Sequence, residues 1–312
     1  MKAATVRDGR IEVLEHLDPV PGYGQVLVKV RAAGLNGADL IQVRGHYPAP
    51  PGYPADIPGL ELAGEVIALG PGVTRFKVGD AVMAVVGGGG QAELAVLHER
   101  EAMPIPEGLG WAEAGGFPEV FTTAHDALFT QAGLAMGERL LVQGAAGGVG
   151  TAGVQLGRAA GASVVASVRD PARRDAVAVM GALAVSPDEV AVNGPYDVVL
   201  ELVGASNIGG DLDALGVGGR IAVIGVGAGA NAELNLRILM GKRARIHGST
   251  LRARPLEAKA AAARLVEANV LPLLATGAIS VPVCDTFALE EAPLAYERFA
   301  AGSKLGKVVL VM

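Results

Sequence analysis

The pattern of apolar and polar positions changes character part-way along the chain. Over the first hundred or so residues, alternating or β-branched runs at 25–31, 65–68, 81–86 and 92–97 are punctuated by Gly and Pro, which predicts a mostly β half. A short helical stretch from Asn36 to Val43 interrupts it. The segment that follows, Tyr47-Pro48-Ala49-Pro50-Pro51-Gly52-Tyr53-Pro54, can be neither helix nor central strand and predicts a loop lying over another part of the fold. From Trp111 to Ala132 the apolar residues take helical spacing. Beyond it, strands at 139–143, 163–168, 196–202, 220–226 and 243–248 alternate with helices at 148–160 and 171–180. Such alternation predicts βαβ units and a parallel sheet covered on both faces. The remainder predicts helices at 256–268 and 290–301 and strands at 279–287 and 307–311, returning to the first lobe. No repeat at solenoid periods and no low-complexity tail is present.

Length and composition sharpen this picture. A chain of 312 residues is too long for one small domain and suits two. The expected division is 1–118, completed by 253–312, and 119–252. With 51% hydrophobic residues, 19% charged residues and 45 Gly, the chain is an α/β globular protein rather than a disordered one. The net charge of −6, without a basic stripe, leaves affinity for nucleic acid or an anionic membrane without an electrostatic source. A single cysteine, Cys284, excludes an intrachain disulfide and any multi-Cys metal site, and the expected compartment is the cytoplasm. The N-terminus, Met1-Lys2-Ala3-Ala4-Thr5-Val6-Arg7-Asp8, carries charges where a signal peptide needs its apolar core. The longest uncharged run, Leu140 to Gly157, contains six glycines and a strand-to-helix switch, so it reads as a cofactor loop and not as a membrane span.

That loop carries the first chemistry. Strand Arg139-Leu140-Leu141-Val142-Gln143 runs directly into Gly144-Ala145-Ala146-Gly147-Gly148-Val149-Gly150, and a helix with small residues facing the strand follows from Thr151. Strand, glycine turn and helix in that order suit a dinucleotide pyrophosphate, whose charge would meet backbone N–H groups and the positive end of the helix. A glycine-rich turn chosen for close packing is the bland alternative, and the surrounding βα alternation favours nucleotide binding. The tip of the second strand, at Ser167 and Val168, lacks the acid that would accept from an NAD ribose; Arg169 follows, with Arg173 and Arg174 one turn on. Asp170 sits near the spacing of such an acid, but Pro171 directly after it marks an N-cap aspartate. The expected cofactor is therefore NADPH, with the 2′-phosphate at these arginines; for Arg174 a solvated helix face is an equal reading.

The segments Val30 to Leu40, Gly59-Leu60-Glu61-Leu62-Ala63-Gly64 and Val73 to Asp80, together with the glycine loop, resemble the medium-chain dehydrogenase/reductase superfamily over nearly the whole chain. The fold this implies is a Rossmann-type doubly wound domain plus a mostly β, GroES-like substrate domain. Where the zinc enzymes of that superfamily hold their catalytic metal with Cys, His and Cys, the matching positions here are Asn36, Leu60 and Glu119, and the four-Cys structural lobe is also missing, so no metal is expected. Leu35 to Leu40, Arg44 to Tyr47, Gly88 to Glu93, Gly248 to Arg254 and Gly306 to Leu310 are most similar to the zinc-independent quinone oxidoreductases related to zeta-crystallin. The resemblance implies that Asn36, Tyr47 and Thr123 line the nicotinamide end. It also implies that Gly204 and Gly225 pass the cofactor along the sheet edge and that Ser249, Thr250 and Leu251 hold its carboxamide end. Gln143, Gly144 and His125 depart from the family pattern without removing a charge or ligand that hydride transfer needs.

The missing metal makes chemical sense, because a quinone accepts hydride with hydrogen bonds alone, whereas alcohol oxidation needs a Lewis acid. Asn36 and Tyr47 are the neutral donors available. Both keep a structural alternative: Asn36 with Asp39 is also a helix N-cap pattern, and Tyr47 is also a loop aromatic on prolines. His16, His46, His98, His125 and His247 are scattered, and no nucleophile–base arrangement stands out. The expected protein is an NADPH-dependent quinone reductase acting on a small neutral quinone. It is expected to form a homodimer through the edge strand at 243–248. A reductase of activated C=C bonds, with Tyr47 as proton donor, is the first alternative, and a cofactor-binding structural or RNA-binding protein the second.

Overall fold

A computed structural model describes residues 1–312, which divide into two compact units, residues 1–122 with 251–312 and residues 123–250. The first division falls after Thr122 rather than after Pro118 because the helix Pro118–His125 begins before it and runs through it.

The first unit opens with a hairpin that the periodicity passes over. Strands Lys2–Arg7 and Arg10–Glu15 pair antiparallel across Asp8-Gly9, whose φ angles are 51° and 73°. Positive φ at both turn residues is the primed-turn geometry that Asp-Gly favours. The main sheet runs in the order Val283–Ala288, Lys307–Val311, Gln25–Gly34, Glu61–Leu69, Ala81–Val85, Ala102–Pro104, and Leu94–His98 also pairs with Gln25–Gly34. Alternate residues of that central strand, Val26, Val28 and Val30, pack with Leu62, Val66, Val82 and Leu97 in the core. Residues 251–312 belong here because Lys307–Val311 lies antiparallel to the central strand, with Val309 opposite Gly34. The Pro-rich loop does lie over something: the Tyr53 ring seats on Gly87, where an added Cβ would come 2.5 Å from it. Lys259 Nζ donates to the Tyr53 hydroxyl at 2.8 Å and pairs with Glu101 at 2.9 Å.

The helical spacing from Trp111 to Ala132 resolves into three pieces: the helices Trp111–Gly116 and Pro118–His125, and a π-helical turn Asp126–Gln131. Pro118 lacks the N–H that a continuous helix would use and opens the second piece. Phe117 and Phe121 stack at 4.6 Å across the break.

The second unit holds six parallel strands in the order Leu183–Val185, Ser163–Ser167, Arg139–Val142, Tyr196–Glu201, Leu215–Val223, Arg245–Gly248. Numbered within the unit this is 3-2-1-4-5-6, the doubly wound order, with its switch point between Arg139–Val142 and Tyr196–Glu201. Both strands at the switch are buried on both faces, which is why they read as unbroken apolar runs. Helix Gly148–Ala159 approaches them closely through glycine: a Cβ at Gly153 would lie 2.6 Å from Leu200 and one at Gly157 2.5 Å from Leu140. The short strand Leu183–Val185 and the helices Ala205–Ala214 and Leu236–Lys242 were not expected from the pattern; the first is too short to show a period. No helix is long and apolar enough to cross a membrane.

Candidate cofactor loop and active site

In the second unit, Gly144 follows the first strand with φ +67°, which only glycine adopts without strain. Gly147 is the N-cap of helix Gly148–Ala159, and its carbonyl accepts from Thr151 N at 2.8 Å. A Cβ at Gly150 would sit 2.6 Å from both Ala145 Cα and the Gly144 carbonyl oxygen. The turn is therefore a cradle that a side chain would fill, with the first-turn N–H groups of Gly148, Val149 and Gly150 lacking partners one turn back. These residues fit a dinucleotide pyrophosphate.

At the tip of the second strand Ser167 is buried, its carbonyl accepting from Ala145 N at 3.1 Å, and Arg169 is exposed. Asp170 is the N-cap that Pro171 implies: its side chain accepts from Ala172 N at 3.1 Å. Arg173 lies 3.8 Å from Asp170, and Arg174 Nε donates to the Val168 carbonyl at 3.1 Å. Arg169 is the arginine of the three that carries no protein salt bridge or hydrogen bond.

Further along the sheet, Gly204 has φ +118° and Gly225 would place a Cβ 2.2 Å from the Leu202 carbonyl. The turns after the fourth and fifth strands thus touch backbone to backbone, a packing demand on both glycines independent of any ligand. Thr123 is buried, Ser249 Oγ donates to Asp126 at 2.9 Å, Thr250 is exposed and Leu251 is buried.

In the first unit, Asn36, Leu60 and Glu119 converge around one carboxylate. Glu61, fully buried beside Leu60, accepts from Asn36 Nδ2 at 2.9 Å and from Glu119 N at 2.8 Å. Lys307, 3% exposed in its side chain, donates to Glu61 at 2.6 Å, Asn36 Oδ1 at 2.8 Å and the Leu35 carbonyl at 2.7 Å. An ammonium, an amide and a leucine do not make a metal site, and no group of three or more His, Cys, Asp or Glu stands where it could hold an ion. The close fit depends on Gly34, where a Cβ would lie 2.4 Å from Glu61 and 2.9 Å from Lys307. Both readings of Asn36 therefore bear on its backbone and side chain separately. Its N–H donates to the Asp39 carboxylate at 2.8 Å, one half of a capping box, while its side-chain amide donates to Glu61 and accepts from Lys307.

Asp39 is buried and also accepts from Gln91 at 3.2 Å and Gly59 N at 3.3 Å; burial raises its carboxyl to about 6 against those stabilising bonds. Tyr47 is half-buried, and no protein hydrogen bond ties up its hydroxyl. Burial pushes its phenol up, opposed by Arg252, whose guanidinium lies 4.9 Å from the ring centre. Arg252, buried, donates to the Tyr47 carbonyl at 2.7 Å, the Gly87 carbonyl at 2.7 Å and Gln42 at 2.5 Å, fixing the backbone from which Tyr47 projects. Sequence reasoning gave no role to Glu61, Arg252 or Lys307. Their signal was a charge set among apolar or small neighbours.

A mostly β unit with this buried centre, and a doubly wound unit with a glycine cradle at its switch point, define an oxidoreductase with an NAD(P)-type binding domain. Residues 22–130 match the alcohol dehydrogenase GroES-like domain and residues 148–268 the zinc-binding dehydrogenase family. A quinone oxidoreductase of Rattus norvegicus is 32% identical over 94% of this chain and 91% of its own length. The structure of a quinone oxidoreductase from Pseudomonas syringae pv. Tomato DC3000 aligns over 100% of both chains with a TM-score of 0.88 at 26% identity. A mycocerosic acid synthase-like polyketide synthase of Mycobacterium tuberculosis is 31% identical over 93% of this chain, which spans 14% of that protein. The chain belongs to the medium-chain dehydrogenase/reductase superfamily, in its quinone oxidoreductase branch.

Proposed function

We propose that the chain is an NADPH-dependent reductase of small neutral quinones that works without a metal. One observation carries this reading: at the start of helix Gly37–Val43 the Asn36 amide and the Lys307 ammonium are engaged by Glu61 and by each other. The donor we assign to the substrate is the Tyr47 hydroxyl, which no protein hydrogen bond ties up. An acceptor that needs a Lewis acid or a strong general acid is poorly served by one neutral phenol, whereas a quinone gains aromaticity as it is reduced and needs only hydrogen bonds to its oxygens. When bound, the nicotinamide supplies the hydride.

The protein's own part is binding and orientation. Backbone N–H groups of Gly148 to Gly150 receive the pyrophosphate, Arg169 with Arg173 meets the 2′-phosphate, and Tyr47, held by Arg252, donates to the acceptor oxygen. The strand Arg245–Gly248 has a neighbour on one side only, and we extend the proposal to a homodimer paired along this edge, which a monomeric mass in light scattering at micromolar concentration would overturn. The single cysteine accords with a reducing cytoplasm.

The available Tyr47 hydroxyl also favours one second reading, reduction of activated C=C bonds in alkenals or enoyl thioesters with Tyr47 giving the proton. The variant Tyr47→Phe separates the two. Loss of one hydrogen bond should slow quinone reduction by about 1 kcal/mol, or roughly fivefold. Loss of a proton donor should slow C=C reduction by roughly 100-fold or more. Near-abolition by Tyr47→Phe, with alkenals or enoyl thioesters as the better substrates, would replace the first reading by the second.

A further inference from the structure

A buried aspartate joins the helix that enters the second unit to the end of that unit's last strand, and it has no part in the reaction as derived above. Helix Pro118–His125 passes into the π-helical turn Asp126–Gln131, where Ala132 N donates to the Ala127 carbonyl, five residues back, at 3.0 Å. Such turns are rare and frequently mark functional positions. Asp126 opens this one and is 4% exposed, beside His125, whose ring lies 5.1 Å from that of Phe129. Arg220 anchors the far end of the turn, donating to the Ala132 carbonyl at 2.7 Å and the Gly133 carbonyl at 2.8 Å. At the near end Asp126 accepts from Ser249 Oγ at 2.9 Å, with Gln131 Nε2 at 3.4 Å.

Ser249 stands at the edge of the sheet that receives ligands. It directly follows the strand Arg245–Gly248, and its N–H donates to the Val223 carbonyl at 3.3 Å, one step beyond the pairing of Val223 with Gly248. This is the carboxyl end of the strands, outside which open α/β sheets hold their ligands. With the 2′-phosphate at Arg169, on the tip of the second strand, the adenosine half of the dinucleotide lies over strands one to three. The nicotinamide half then lies over strands four to six, the side on which Ser249 stands.

The direction of the hydrogen bond decides what Ser249 has to offer. A carboxylate only accepts, so the hydrogen between Asp126 and Ser249 is the serine's, and the Ser249 hydroxyl presents acceptor lone pairs to any further partner. A pyridine carboxamide carries an oxygen that accepts and an amide N–H that donates. We propose that Asp126 is a positioning residue that fixes the Ser249 hydroxyl as an acceptor for the carboxamide N–H of the nicotinamide, so that the pair distinguishes a carboxamide from a ring substituent without a donor. The inference rests on the dinucleotide reading of the glycine cradle and deepens it. A hydroxyl that no carboxylate holds turns its hydrogen to suit its partner and serves a carbonyl oxygen as readily as an N–H. Held by Asp126, the hydroxyl loses that choice, and the bond it makes to the carboxylate polarises it into a stronger acceptor.

The test measures the Kd of three ligands: NADP⁺, its acetylpyridine analogue, in which a methyl group replaces the amide nitrogen, and 2′-phospho-ADP-ribose, which lacks the pyridine ring. The unmodified protein should bind NADP⁺ more tightly than the analogue by roughly fivefold or more, the worth of one hydrogen bond. Ser249→Ala should bring that ratio close to one and Asp126→Ala should lower it by about twofold or more, while 2′-phospho-ADP-ribose binds all three proteins within about twofold. A ratio near one in the unmodified protein, or a ratio unchanged by either substitution, would overturn the inference. An Asp126 that merely supports the fold would weaken all three ligands together and leave the ratio as it was, which is that second outcome. The ratios of the unmodified protein and of Ser249→Ala decide the matter if Asp126→Ala does not fold. Binding of 2′-phospho-ADP-ribose without any preference between the two dinucleotides would reject this inference alone, whereas failure of all three ligands to bind the unmodified protein would reject the dinucleotide reading and the inference with it.

Discussion

Replacing Lys307 by Met removes the cation at the centre of the first unit and leaves nearly all of its volume. The Glu61 carboxylate, with no exposed surface, would keep the Asn36 amide and the Glu119 N–H but lose the ammonium at 2.6 Å, and the Leu35 carbonyl would lose its donor. Breaking a buried pair by removing one partner destabilises by about 3–5 kcal/mol, because the remaining charge is uncompensated. At roughly 2–4 °C per kcal/mol for a unit of some 150–250 residues, the midpoint of thermal unfolding should fall by about 6–20 °C. The double variant Glu61→Gln with Lys307→Met carries no buried charge there and should recover most of that loss. Thermal unfolding followed by circular dichroism at neutral pH checks both. A single variant within about 1 kcal/mol of the parent, or a double variant no more stable than the single, would refute the claim that the pair is coupled and desolvated.

Arg169→Ala should narrow the affinity gap between NADPH and NADH, since a cation at the strand tip matters only when a 2′-phosphate is present; equal dissociation constants in the unmodified protein would overturn the assignment, and an unchanged gap would move the role to Arg173 or Arg174. Asp39 gives a pH signature. Its carboxyl is raised to about 6 in the folded chain, so between about pH 4 and 6 the folded state holds a proton that the unfolded state has lost, and this group's contribution to stability falls as pH rises through that window and is level above it. Urea unfolding at several pH values should show that slope reduced in Asp39→Asn, and an identical slope would contradict the assignment. Activity should survive exhaustive chelation unchanged; stoichiometric zinc retained in washed, active protein would count against the metal-free centre.

The cofactor half was legible because its physics is local. Strand Arg139–Val142, the glycine turn and helix Gly148–Ala159 announce themselves by a switch from unbroken apolar residues to small ones at helical spacing, and Asp170-Pro171 announces its own cap. The Asp8-Gly9 hairpin carries an equally local signal in its primed-turn dipeptide. The centre of the first unit was illegible for a different reason. Glu61 and Lys307 are 246 residues apart, and Gly34 matters through the space it leaves between them. A lone Lys ahead of Val308-Val309-Leu310, or a lone Glu between Leu60 and Leu62, shows only that a charge is to be buried; its partner is supplied by the fold. The same holds for Asn36, whose type suggested substrate contact or capping but whose amide is engaged by residues remote in sequence.

The central claim is that the first unit offers an acceptor a neutral hydroxyl, that of Tyr47, and therefore suits one that needs no strong acid or metal. It is tested most directly by the ratio of kcat/KM values for NADPH oxidation by chelator-washed protein, with a para-quinone against a 2-alkenal under one set of conditions. The account predicts that the quinone exceeds the alkenal by roughly 100-fold or more, the advantage that a placed proton donor would otherwise supply. An alkenal turned over as well as the quinone, or better, would contradict it.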